Sequence, residues 1–244
     1  MALYQVTIAY DGTDFFGYQR QKHHRTVQGE IENALKTIGW DGRTIASSGR
    51  TDTGTHAVGQ VISFDLDWNH NAEKLMSALN SALPTDIAAK ESFLAPVGFH
   101  PRFSARQRQY LYQVVFSPYR DPILDRYFWR VWPKPDESLL MKGSEALIGK
   151  HDFSSFGKPS KKDGSTIRTV SLCEWRYDEF GKAYFRIRAE SFLYHMVRRA
   201  VFLLVQVGLG KINAIDIEKN LKNQEELPAG IAPAHGLFLE KVIY

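Results

Sequence analysis

The stretch RQRQYLYQVVFS, Arg106 to Ser117, decides how the chain is organised. Apolar and polar residues alternate along it, which is the pattern of a half-buried β-strand. It follows the irregular run GFHPRFSA, and with it the plan of the chain starts again. Upstream, LYQVTIAY (Leu3 to Tyr10) alternates in the same way, and DGTDFFG supplies turn residues. From Thr26 the spacing becomes helical, with Val27, Ile31, Ala34, Leu35 and Ile38 on one stripe, Thr26 as N-cap and Gly39 as the stop. RTIAS and VGQVISFDL read as strands around a loop. NAEKLMSALNSAL is a helix that stops at Pro84, and DIAAKESFLA is mostly strand.

Downstream, RYFWRVW reads as a strand and DESLLMKGSEALIG as a helix. TIRTVSLCEWRYDE and KAYFRIRAES form a hairpin across Phe180-Gly181-Lys182. FLYHMVRRAVFLLVQVG is a strong helix with Leu193, Met196, Val197, Ala200, Val201, Leu204 and Val207 on one stripe. The short helix NAIDIEKNLKN and the strand LFLEKVIY follow. Strands and helices mix without strict βαβ alternation. This predicts an α+β fold, with a large mixed, mainly antiparallel central sheet and helices on one face. Two similar halves are expected, over 1–103 and 104–244. They share no sequence repeat, so the symmetry rests on element order.

Hydrophobic residues make up 43% and charged residues 24% of the 244, so a folded globular chain is the default. A net charge of +4 suggests a polyanionic partner. Cys173 is the only cysteine. That excludes a disulfide scaffold within one chain and a zinc cluster of thiolates, and it fits a reducing cytoplasm. The N-terminus alternates and does not resemble a signal peptide. The apolar run AVFLLVQVGLG is about half the ~20 residues a membrane span needs. A cytoplasmic protein is the expectation.

The loop between the first two flanking strands carries the chemistry. SSGRTDTGTHAVGQVISF (Ser47 to Phe64) places a glycine, an arginine, a carboxylate and a histidine within eight residues. Gly49 and Gly54 allow positive φ or close approach. Arg50 suits a phosphate or a nucleobase. Asp52 is held between strands, and His56 is a proton carrier or a hydrogen-bond donor. Taken alone, Gly-Arg-Thr-Asp equally describes a β-turn whose side chains cap their own backbone. One Asp and one His leave a metal short of ligands, so no metal is expected.

The wider chain supplies context. GRTDTGTHA resembles the signature of the tRNA pseudouridine synthase A family. YDGTDFFGYQRQ with TVQGEIENAL looks like its N-terminal segment. FHPRFSARQRQYLY resembles its central block and SFLYHMVRRAV its late helix, and HDFSSF and APAHGLFLEKV fit as well. The blocks are in order along essentially the whole chain. Thr55 stands where the family usually has Val, and Tyr18 where it usually has Trp.

The resemblance implies isomerisation of uridine to pseudouridine at positions 38, 39 and 40 of the tRNA anticodon stem-loop, by a homodimer and without a cofactor. It implies that Asp52 is the catalytic aspartate, acting as nucleophile or as general base. Arg198 matches the basic residue that pairs with it, although on spacing alone Arg198 reads as a solvated helix edge. Tyr110 matches the tyrosine that packs on the flipped-out base. By pattern Tyr112, on the same face, is an equal candidate. Arg50 would fill the flipped base's space or grip its phosphate.

Three basic runs form the expected RNA surface. The first is Arg20, Lys22, His23, His24 and Arg25. The second is Arg102, Arg106 and Arg108. The third is Lys158, Lys161, Lys162 and Arg168, in a loop that reads as mobile. Two alternatives compete: an RNA-binding module of the same fold that has lost catalysis, and a glycoside or nucleoside hydrolase. Hydrolysis usually takes two carboxylates, and the loop's nearest second acid is Asp65, in the next strand.

Overall fold

The computed structural model describes residues 1–161 and 163–244, in two compact units. One comprises Met1–Arg106 with Phe238–Tyr244, the other Gln107–Leu237. The chain from Phe238 onward therefore returns to the first unit.

In the first unit, β1 (Ala2–Tyr10) buries Tyr4, Val6, Ile8 and Tyr10, the period expected of a sheet with one covered face. It pairs antiparallel with β3 (His56–Leu66) on one side and with β4 (Ile87–Leu94) on the other. β2 (Ala46–Ser47) pairs antiparallel with β3, and β10 (Leu237–Ile243) pairs with it in parallel through Phe238–His56 and Leu239–Ala57. Helix α1 (Val27–Thr37) begins at Thr26, whose side chain accepts from the Gly29 N–H, and α2 (Ala72–Ala82) begins at Asn71, which caps Lys74. Both N-caps are of the residue types that best satisfy orphan helix donors.

In the second unit, β5 (Gln107–Phe116), β9 (Lys182–Ala189), β8 (Ile167–Tyr177) and β7 (Gly149–Asp152) lie side by side, each pair antiparallel. β6 (Trp129–Val131) adds to β5 in parallel. Helices α3 (Glu137–Glu145), α4 (Met196–Gly208) and α5 (Ala214–Asn223) pack on these strands and on each other. The unit's core runs from Tyr112, Val114, Phe185 and Ile187 on the strands to Met196, Val197, Val201 and Leu204 on α4. The class is thus α+β with a large, mainly antiparallel sheet.

Four elements differ from the pattern-based expectation. RTIAS forms only the two-residue β2, because Ile45 N–H donates to the buried Glu32 carboxylate (3.2 Å) and Thr44 Oγ1 donates to it as well (3.1 Å). The expected strand over RYFWRVW shrinks to Trp129–Val131. A 3₁₀ turn precedes it, organised by Asp121, which accepts from Ile123 and Leu124. Helix α4 starts at Met196, four residues later than the expected start at Phe192. His195 is left-handed (φ +68°), and Tyr194 exchanges both backbone hydrogen bonds with Lys158. Leu193 is buried as predicted, but from outside the helix. β7 has no apolar alternation and went unpredicted.

Candidate active site

The loop Ser48–Thr55 is held by its own unit at every few residues. Gln60, fully buried on β3, donates its amide to Gly49 O (2.9 Å) and accepts from Ser48 Oγ (2.5 Å), while Ser48 N–H donates to Val61 O (2.8 Å). Thr51 is buried, its hydroxyl 2.7 Å from that of Tyr10, and its carbonyl accepts from Tyr18 N–H (3.0 Å). Thr55 N–H then donates to Asp52 O (3.0 Å), with Gly54 at φ +74° completing a turn. The polar turn and the presentation of Asp52 are therefore one structure. Asp52 is half-buried within it and Arg50 is exposed.

The segment Asp11–Tyr18 lies against this loop backbone to backbone. A Cβ on Gly12 would sit 2.0 Å from Thr55 O, so only glycine fits. His56, at the start of β3, is 1% exposed and stacks on Phe238 with ring centres 4.6 Å apart. Its Nδ1 is 3.0 Å from the Gly12 nitrogen and 3.1 Å from Asp11 Oδ1. One nitrogen cannot serve both at once: unprotonated it accepts from Gly12, and protonated it donates to Asp11. In either state the ring ties the segment carrying residues 11–12 to the base of the loop. Tyr18 is buried beside Tyr10, and burial pushes its phenol well up. Thr55 is 2% exposed, and its hydroxyl has no hydrogen-bond partner among the described residues.

In the second unit the two tyrosines that share a strand face have different surroundings. Tyr112 is fully buried, and its hydroxyl donates to Pro233 O (2.7 Å). Burial, opposed by the nearby Arg198 charge, holds that phenol well above its ordinary range. Tyr110 is only half-buried, its ring edge-on to Phe192 with centres 5.0 Å apart. Arg198, half-buried in the first turn of α4, donates Nε to Ala232 O (2.7 Å), and its own carbonyl accepts from Ala232 N–H (3.1 Å). Pattern reading missed Gln60, Phe192 and His195. Gln60 had a signal, a polar residue amid the apolar run of a strand, whereas the backbone of His195 had none.

The basic runs divide by use. Arg25 is bidentate to Asp86 (2.7 and 3.0 Å), pairs with Glu30 and lies over the Phe15 ring, and those carboxylates raise its pKa. Arg20 pairs with the buried Glu32. Arg168 donates to Ser165 O and Ile167 O, and burial lowers its pKa. Arg108 is half-buried and donates to Glu190 O (3.0 Å). Arg102, Arg106, Lys158 and Lys161 are exposed, and Lys162 lies outside the described residues. Among the described residues no three His, Cys, Asp or Glu side chains gather as a metal site, and no helix is long and apolar enough to cross a membrane. Cys173 is half-buried, with its thiol pushed up by burial.

A family model described as tRNA pseudouridine synthase matches residues 6–104 and 144–244. Curated relatives named tRNA pseudouridine synthase A align over nearly the whole chain. The one from Halalkalibacterium halodurans is 41% identical over 236 residues, covering 95% of this chain and 89% of its own. Those from Fervidobacterium nodosum and Bacillus subtilis are each 39% identical, covering 98% of both chains. On these matches the chain belongs to the tRNA pseudouridine synthase family.

Proposed function

We propose that this chain isomerises uridine to pseudouridine at positions 38, 39 and 40 in the anticodon stem-loop of tRNA, with Asp52 as the catalytic residue. The observation that carries this reading is the Gly-Arg-Thr-Asp turn, anchored by Gln60, Tyr10 and Tyr18, in a chain aligned end to end with tRNA pseudouridine synthases. The N1–C1′ bond breaks, the uracil turns and C5 bonds to C1′. The C5 proton leaves and N1 gains one, so no oxidant, reductant or water is consumed. Asp52 attacks as a nucleophile or removes the sugar proton as a base, and both routes need it ionised.

A uracil inside a helical stem must be flipped out before it reacts. Tyr110 receives it by stacking, a role its half-buried position suits and the core-bound Tyr112 does not. Arg50, exposed at the loop, fills the vacated space or holds the phosphate, and Arg198 supplies the second cation for the substrate. The exposed Arg106, Lys161 and their neighbours supply phosphate contacts, with Arg108 and Lys162 in the same runs. Arg20, Arg25 and Arg168 belong to the same RNA surface, and their ion pairs and backbone hydrogen bonds also fix the segments that carry it. The family resemblance further assigns a homodimer working in the cytoplasm.

The test is incubation with unmodified tRNA followed by chemical mapping of pseudouridine. Wild type should modify the anticodon arm and Asp52→Asn should not. Absence of product with wild type, or undiminished product with the variant, refutes the assignment.

A further inference from the structure

Between β9 and α4, residues 190–195 have no regular structure, and their rings go to different places. Phe192 turns to the edge of Tyr110. Two residues on, Tyr194 is 55% exposed although its neighbours Leu193 and Met196 are buried. Its ring lies on that of His195, with centres 3.7 Å apart and planes 27° from parallel. The backbone beneath is fixed. Tyr194 N–H donates to Lys158 O (2.9 Å), and its carbonyl accepts from Lys158 N–H (3.3 Å). A Cβ on Gly157 would fall 2.3 Å from Tyr194 O, so the two backbone segments touch directly. His195 holds a left-handed backbone, uncommon outside glycine. That conformation is kept where the surroundings over-determine it, and such residues cluster at ligand-binding sites.

We propose that Tyr194, backed by His195, is a stacking shelf for an unpaired nucleobase of the substrate RNA, a second base besides the one received at Tyr110. A rigid, pre-stacked aromatic face is what a nucleobase of any identity recognises. The exposed Lys158, paired to Tyr194 through the backbone, brings a cation to the shelf for that nucleotide's phosphate. Phe192 joins the shelf to Tyr110 through three consecutive residues, so the second base would be a near neighbour of the target uridine. The inference rests on the reading of this chain as a tRNA-modifying enzyme.

The experiment is equilibrium binding of a synthetic tRNA anticodon arm at several salt concentrations, with pseudouridine formation in tRNA followed in parallel. Tyr194→Ala should raise Kd by about five-fold or more at an unchanged thermal midpoint. The slope of log K against log salt should not change, because a stack releases no counterions. Tyr194→Trp should bind as wild type or tighter. His195→Asn, which tolerates the left-handed backbone, should lose part of the affinity. If wild type binds and Tyr194→Ala stays within about two-fold of it, the shelf is refuted and the enzymatic reading stands. A loss of affinity with a slope shallower by about one also refutes it, since the contact is then ionic. If wild type neither binds the arm nor makes pseudouridine, the functional reading falls and the shelf with it.

Discussion

Replacing Thr55 by Val should stabilise the protein. Thr55 is 2% exposed, and its hydroxyl finds no hydrogen-bond partner among the described residues. A buried hydroxyl left unpaired costs about 1–3 kcal/mol. Val has nearly the same shape, so the exchange opens no cavity. The contacts that Gly12 makes here are to Thr55 backbone atoms, and the bond from Thr55 N–H to Asp52 O is also backbone. None of these depends on the hydroxyl. The expected gain is about 1 kcal/mol, the low end of the range, because the hydroxyl's loss of hydration on folding is the only cost the exchange removes. In a protein of this size that raises the melting temperature by about 2–4 °C. Calorimetry or circular dichroism measures it. Thr55→Ser, which keeps the hydroxyl and removes the methyl, should lose about 1 kcal/mol. Pseudouridine formation by Thr55→Val should stay within about two-fold of wild type, since a change of that size is under half a kcal/mol in barrier. A lower melting temperature for Thr55→Val would show that the hydroxyl is satisfied after all and refute the reasoning.

Three further outcomes follow from the same geometry. Gly12→Ala should cost well over about 3 kcal/mol, because the new methyl meets a backbone carbonyl that cannot yield; failure to reduce stability in urea denaturation would contradict the close approach. Tyr112→Phe orphans Pro233 O and should cost about 1–2 kcal/mol with little change in activity, and an unchanged denaturation midpoint would count against it. Burial lowers the pKa of His235, so the folded state resists a proton that the unfolded state accepts. That penalty is absent well above the unfolded value of about 6.5 and grows as pH falls through it towards the folded value. His235→Gln should therefore lose less stability than wild type between about pH 8 and pH 5. Parallel stability–pH curves would exclude this.

The class was legible because alternation and helical spacing are local signals. β1, β5, α1 and α2 follow from residues that face a core at periods of 2 and 3.6. What was illegible depended on partners distant in sequence. RTIAS has strand composition, but Glu32 on α1 draws off its donors. Leu193 shares an apolar stripe with α4, yet the pairing of Tyr194 with Lys158 holds residues 192–195 out of the helix. In the loop, residue types announced chemistry without saying what held them, and Gln60 and the Gly12–Thr55 approach emerge only in three dimensions. The basic runs were legible as charge, but their partners within the fold were not: Arg25 and Arg20 pair with carboxylates, and Arg168 donates to backbone carbonyls.

The parallel pairing of β10 with β3 bears on synthesis at the ribosome. The ring of His56 stacks on Phe238, which is translated after the whole of the second unit. A nascent chain lacking residues 237–243 has the Gly-Arg-Thr-Asp turn but not the strand that flanks its base. Parallel, non-local pairing of this kind is slow to form and leaves an unpaired edge exposed while it waits. Completion of the first unit is thereby timed to the end of translation of the second. A stop codon a few residues upstream of Phe238 would yield a polypeptide with Asp52 present and its support missing, a form suited to chaperone capture and proteolysis.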